Sequence, residues 1–410
     1  MTDAAKTINA TALTELKKLE DDIESFVPSI KLSEPEELDE STESGTILLD
    51  LDTQQDLAEL PLQSPDNIHE AAKVICGKGY FDEQAVVDAL HALMLGHLMI
   101  SGPPGTGKTK LATDLADVFN AELMITTANA EWSVYDVIGS QTLDANQKVV
   151  PKHGVLTESI LQCYQQIQQH QSDPERPQAI WLLIDEINRS EIDRAFGPLF
   201  TALSTGAGGT YSLDYIEDRP NIVIPSRFRI ISTLNSFDSR FVTGMSAALR
   251  RRFGRVIIPT PPGFSESEYN IAMTEAKTRL VSILPNPQRD NSLRAWDGVK
   301  NTLIRAFDLL RGIDVEGDRM SGLPVGTAHA VDALAYLVVM ISSGNDVNIE
   351  NEDEAYELID RCFASRVVNA FEADNTRRIL EREYVNRLET SESRLSRTVS
   401  RMRAFLDGKE

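Results

Sequence analysis

Cysteine and histidine are scarce, with three and six residues respectively in a chain of 410. Cys76, Cys163 and Cys362 stand far apart, with no C-x-x-C pair and no histidine at metal-ligand spacing. That excludes a disulfide framework or a zinc site and points to buried, reduced thiols. His91 and His97 are six residues apart and do not share a helical face, so they make no metal pair. Long apolar runs are missing too. The strongest, Ala92 to Ile100, is broken by Gly96 and His97 and is too short to cross a bilayer. The start, Met1-Thr2-Asp3-Ala4, has neither a basic nor an apolar signal region. A cytoplasmic protein with no membrane partner is expected.

Positive charge is the third shortage: 40 Lys and Arg face 63 Asp and Glu, for a net charge of −23. Such a field repels phosphate backbones, which disfavours generic nucleic-acid binding. The imbalance is local. Residues 1–65 hold 16 acids and four lysines, and no arginine precedes Arg176.

Within that head, Leu13, Leu16, Leu19, Ile23 and Phe26 keep helical spacing, and an acidic, proline-punctuated stretch follows. A short helix and a mostly flexible, partly disordered segment are expected over 1–65. The apolar island Ile47-Leu48-Leu49 with Leu51 either packs on the chain's own core or docks a partner. Beyond Pro65, five short apolar runs alternate with helical patterns: His97–Ser101, Glu122–Thr126, Trp181–Asp185, Phe228–Thr233 and Arg255–Ile258. Continuous apolar runs between helices predict an α/β fold, a parallel five-stranded sheet with helices on both faces. After Pro261-Pro262 only helical patterns remain, ending in a tail with eight arginines and four glutamates between Thr376 and Arg403. The divisions expected are 1–65, an α/β core over 66–262, a helical lid over 263–347 and a helical Arg-rich extension over 348–410.

Gly102-Pro103-Pro104-Gly105-Thr106-Gly107-Lys108-Thr109 satisfies G-x-x-x-x-G-K-[ST] between a strand and a helix. Glycines let successive N–H groups turn inward around a polyphosphate, and the helix N-terminus adds partial positive charge. Lys108 is placed to reach the β- and γ-phosphates, and Thr109 to offer its hydroxyl to Mg²⁺. The third run ends in Asp185-Glu186. Asp185 is the candidate for holding Mg²⁺, and Glu186 for polarising an attacking water. Asn235, closing the fourth run, carries an amide that can bond both a phosphate oxygen and that water.

Together these residues resemble the AAA+ ATPases, and more narrowly their McrB-type and MoxR-type (dynein-related, helix-2-insert) branch. Asp185-Glu186-Ile187-Asn188-Arg189 is similar to that branch's DEINR box, and Thr233-Leu234-Asn235-Ser236-Phe237-Asp238 to its sensor 1. Ala248-Leu249-Arg250-Arg251-Arg252-Phe253 is similar to its arginine-finger motif. The resemblance spans about 70–345. It implies ATP, or alternatively GTP, with Mg²⁺, and a homo-oligomeric ring, most simply a hexamer. In such a ring Arg252 first, or Arg251, reaches a neighbour's site. It implies a remodelled protein partner, with nucleic acid engaged only through the pore or a partner. A GTP-using subunit of a nuclease or phage-defence system and a nucleotide-gated scaffold with little turnover are the alternatives. Val149–Val155, and Tyr211–Leu213 with Asn221–Ile224, stand where the branch inserts hairpins; plain loops fit these patterns equally. The chain departs from the family at Gly326–Leu334, which offers His329 where many relatives carry an arginine, with Arg311 and Arg319 off the pattern. Gly79-Tyr80-Phe81-Asp82 stands where relatives pack the base, although Asp82 equally suits a helix cap.

Overall fold

The computed structural model describes residues 49–78, 81–199, 201–204, 209–235, 251–313, 322–343, 349, 351–371 and 382–407. The helix expected over 11–26, Arg250 and the Ser236–Asp238 half of the sensor motif lie outside these residues. Chain contacts divide the molecule into Met1–Ile47 and Leu48–Glu410.

Helices α1 (Leu51–Ala58), α2 (Ile68–Lys78) and α3 (Glu83–Leu95) lead into strand β1 (His97–Gly102). Then follow α4 (Lys108–Val118), β2 (Ala121–Thr127), α5 (Val134–Val137), β3 (Gly139–Leu143), β4 (Val149–His153) and α6 (Val155–Ser172). Next come β5 (Ala179–Asp185), α7 (Ile192–Phe196), β6 (Thr210–Ser212), β7 (Asn221–Val223), β8 (Ile230–Asn235) and β9 (Phe253–Ile257). Five strands form one parallel sheet in the order β2-β5-β8-β1-β9. These are the five runs expected from the sequence; the central strands β1, β5 and β8 are almost wholly buried, and the edge strands β2 and β9 are partly exposed. The pairs β3–β4 and β6–β7 are antiparallel hairpins, so both doubtful stretches are hairpins and not plain loops. Tyr215 joins them: its hydroxyl lies 2.7 Å from His153 Nδ1 and its carbonyl accepts from Gln141 Nε2.

The segment 49–65, counted with the acidic head above, belongs to the core. Asp50 caps α1 by accepting from Thr53 N, and buried Gln54 accepts from Val223 N while donating to Leu49 O. Ser226 donates to Ala58 O, Arg227 to Pro61 O, and Gln178 to Gln63 O. The apolar island thus takes the local reading in part, since Leu49 packs on the core. Main-chain pairing and amide side chains hold this segment, and neither leaves an apolar period in sequence.

A second buried cluster runs from Phe264 to Phe405. It is built by α8 (Glu266–Leu280), α9 (Asn286–Gly298), α10 (Lys300–Leu310), α11 (Thr327–Ser343), α12 (Glu352–Cys362), α13 (Arg382–Ser391) and α14 (Ser396–Asp407). Lid and extension share this one core. Phe307 stacks on Phe363 at 5.0 Å, and Tyr384 donates to Leu309 O at 2.6 Å. The buried pair Arg311–Glu268 ties α8 to the turn after α10, with Arg311 also donating to Val325 O. Arg311 therefore serves the lid's interior. Among the described residues no helix is long and apolar enough to cross a membrane.

Two predictions follow from these buried polar groups. Removing one member of a buried ion pair strands the other, so Glu268→Ala should cost about 3–5 kcal/mol in denaturant unfolding. His97, buried, accepts from Ile230 N, and burial with Arg229 nearby pushes its pKa from 6.5 to about 3. Between those pH values the unfolded chain binds the extra proton, so this contribution to stability is lost as pH falls below 6.5. His97→Asn supplies an acceptor that does not titrate. Its unfolding free energy should vary less with pH in that window than the wild type's, as read by denaturant melts at pH 7 and 4.5.

Candidate active site

The sheet register sets the site. Gly102 on β1 pairs with Asn235 on β8, and Ile184 on β5 pairs with Ser232 on β8. Gly102 and Asn235, which end β1 and β8, are thereby level, while Asp185, which ends β5, falls beside Thr233; all three ends lie at the carboxyl edge where such sheets bind ligands.

Between β1 and α4 the chain turns through Gly105 at φ 74° and Gly107 at φ 80°, left-handed values that side chains disfavour. At Gly102 a Cβ would stand 2.2 Å from Ile258 O, so the tight entry needs glycine as well. Lys108 opens α4 with only 7% of its surface exposed, and its Nζ donates to Gly102 O at 3.1 Å and Pro103 O at 2.8 Å. Burial lowers its pKa to about 8, opposed by the charges of Asp185 and Glu186. Thr106 folds the loop on itself by donating to Pro103 O at 2.9 Å.

Asp185 Oδ1 accepts from Thr109 Oγ1 at 3.0 Å and from Thr233 Oγ1 at 2.5 Å. The same Thr233 oxygen accepts from Glu186 N at 2.8 Å. Glu186 lies at φ 51°, a left-handed value that turns its carboxylate away from Asp185. Asn235 Nδ2 donates to Glu186 Oε1 at 2.8 Å, while Arg189 Nε pairs with Oε2 at 2.5 Å. Asn188 Oδ1 receives the Asn235 main-chain N–H at 3.4 Å. Two hard oxygens 3.0 Å apart, from Thr109 and Asp185, form a donor set that suits Mg²⁺ completed by water and phosphate. Among the described residues no cluster of three His, Cys, Asp or Glu competes for a metal.

These groups line a cleft of about 340 Å³ with Phe81, Ile271, Glu275, Arg279, Thr327 and Ala328. Nearly every candidate of the loop, the acidic pair and the sensor is brought together there. Gly102 and Pro103 act from behind as backbone acceptors of Lys108. Asp82 is a helix cap, accepting from Ala85 N at 2.9 Å. Arg251 and Arg252 are placed elsewhere. They precede β9, whose Phe253 pairs with His97, so they stand at the opposite end of the sheet. There they line a larger cleft of about 810 Å³ with Leu95, Gly96 and Phe228. A strand of this length separates the two ends by roughly 17–20 Å.

Sequence reasoning missed Thr233, whose hydroxyl links both acids, because a threonine in a strand reads as a β-former. It also missed the lid's share of the cleft. Ile271, Glu275 and Arg279 recur every four residues along α8, a spacing that places them on one face. Arg279 pairs there with Asp332 of α11.

Residues 97–253 match the family profile of the AAA domain, dynein-related subfamily. No curated protein matches the chain. The matched span runs from the first residue of β1 to the first residue of β9, so it contains the phosphate loop, the acidic pair and Asn235. The match supports an AAA+ ATPase.

Proposed function

We propose that the chain is a Mg²⁺-dependent ATPase of the MoxR- and McrB-type branch, acting as a ring that remodels a protein partner. One observation carries the catalytic part: Thr109, Asp185, Glu186 and Asn235 converge on one cleft at the carboxyl ends of three adjacent strands. Gly102 to Gly107 would wrap the triphosphate with backbone N–H groups, and Lys108 would exchange its loop carbonyls for phosphate oxygens. Thr109 and Asp185 would hold Mg²⁺, which neutralises charge on the β- and γ-phosphates when bound.

Glu186 is the general base. Its oxygens are oriented by Asn235 and Arg189, so the carboxylate enters the cleft already aimed. Asn235, with its amide on Glu186, can position the same water from its second N–H. Arg252, or Arg251, cannot serve its own chain's cleft across the length of the sheet. Placement at the far end favours action on a neighbour, which is the support for a ring. The paired hairpins offer the partner surface: Leu143 and Val149 face each other across β3–β4 at 62% and 56% exposure. ATP is preferred over GTP because Asp82, the acid of the Gly79–Asp82 stretch, is occupied as a helix cap.

Glu186→Gln should retain nucleotide binding and lose turnover by about 10³-fold or more, as general-base removal does together with lost water orientation. Phosphate release at the wild-type rate would overturn the assignment. Lys108→Ala should weaken binding at least tenfold in a titration with ATP, and competition with GTP reads the base preference. Mixing settles the trans arrangement. Chains with Arg252→Ala and chains with Glu186→Gln should each be inactive alone, yet recover phosphate release when co-assembled. A mixture as inactive as its components would reject a finger supplied by the neighbour.

A further inference from the structure

The lid meets the phosphate loop at the Gly105–Thr106 peptide. Ala328 N, at the start of α11, donates to Gly105 O at 3.0 Å. A Cβ on Gly326 would stand 2.4 Å from that same oxygen, so the two backbones touch. The His329 ring covers the outer side: a Cβ on Gly105 would stand 2.3 Å from its Nδ1. Gly326 N donates to Nδ1 at 3.2 Å, which orients the ring and closes the first turn of α11. On its other side the ring packs against Phe371 at 4.7 Å between centroids. Phe371 ends the irregular helical stretch after α12, a π turn over Phe363–Val367 followed by Val368–Phe371.

Resting on the nucleotide reading above, we infer that His329 is a positioning residue that couples the phosphate loop to the C-terminal helices. Gly105 has two faces. Its left-handed backbone helps shape the phosphate cradle, while its carbonyl and Cα carry the lid. A loop that rearranges around a triphosphate must therefore displace α11 or the His329 ring, and packed interiors pass on such shifts because they compress little. The ring hands the displacement to Phe371. A neutral ring suits this contact: burial lowers the His329 pKa to about 4, with Lys108 and Arg311 reinforcing and Asp332 opposing. No arginine stands on Thr327–Leu334, so the only ring or cation that this first stretch of α11 places against the loop is His329.

The test separates packing from helix capping. Hydrogen–deuterium exchange of the full chain is compared with and without saturating magnesium–AMP-PNP, alongside steady-state ATP turnover. In the wild type, nucleotide should slow exchange at 105–109 and change it at 363–371. His329→Phe keeps the ring and loses the acceptor; its response at 363–371 should stay within about twofold of wild type. His329→Asn keeps an acceptor and loses the ring. It should still protect 105–109, yet lose at least about fivefold of the response at 363–371. Its kcat should fall about tenfold with KM changed less than about threefold, the split expected when binding is spared. A full response in His329→Asn, or a lost one in His329→Phe, overturns the inference and leaves His329 a helix cap. No protection at 105–109 in the wild type would instead overturn the nucleotide reading.

Discussion

Two hydroxyls share one carboxylate oxygen, and the site depends on that sharing. Asp185 Oδ1 receives Thr109 from the helix after β1 and Thr233 from β8, while Thr233 also holds the main-chain N–H of Glu186. The arrangement exists only because β5, β8 and β1 are adjacent and parallel, in a register that sets Gly102 beside Asn235 and Asp185 beside Thr233. A slip of one residue in any of the three would turn these side chains to the other face of the sheet. Burial of the strands fixes the register, and the register fixes the chemistry.

Much of this was legible in the sequence, for a physical reason. A strand covered on both faces is apolar at most positions, so β1, β5 and β8 announce themselves as runs. The phosphate loop is legible because its backbone demands glycine at 105 and 107. What stayed hidden has no local signature. Gln54 joins α1 to β7 through its amide, across 169 residues, and no periodicity reports such a bond. The contact of His329 with Gly105 is equally remote. Apolar spacing in the last fifty residues showed that a face is buried, but not that it is buried in the lid.

The charges rearrange accordingly. Among the described residues three arginines of the basic tail pair with acids of their own region: Arg394 bonds Glu392 and Asp353 and lies over the Tyr356 ring, Arg403 bonds Glu389, and Arg382 bonds Asp407. Exposed pairs of this kind add little stability individually. They do offset part of the tail's positive charge, while Arg397 and Arg401 line an open cleft with Arg361, Tyr336 and Asn369.

Glu186 holds a left-handed backbone that costs a non-glycine residue roughly 1–2 kcal/mol. One hydroxyl, that of Thr233, pins the peptide in that state. The sheet beneath rests on dozens of buried aliphatic contacts and the turn above it on a few polar ones. Heat or mild denaturant should therefore release the Glu186 turn before the strands separate, and chemistry should fail in a protein that still looks native by its secondary structure. On the role proposed for Glu186, the thermal limit of hydrolysis should then lie below the melting point, set by this turn and not by the core.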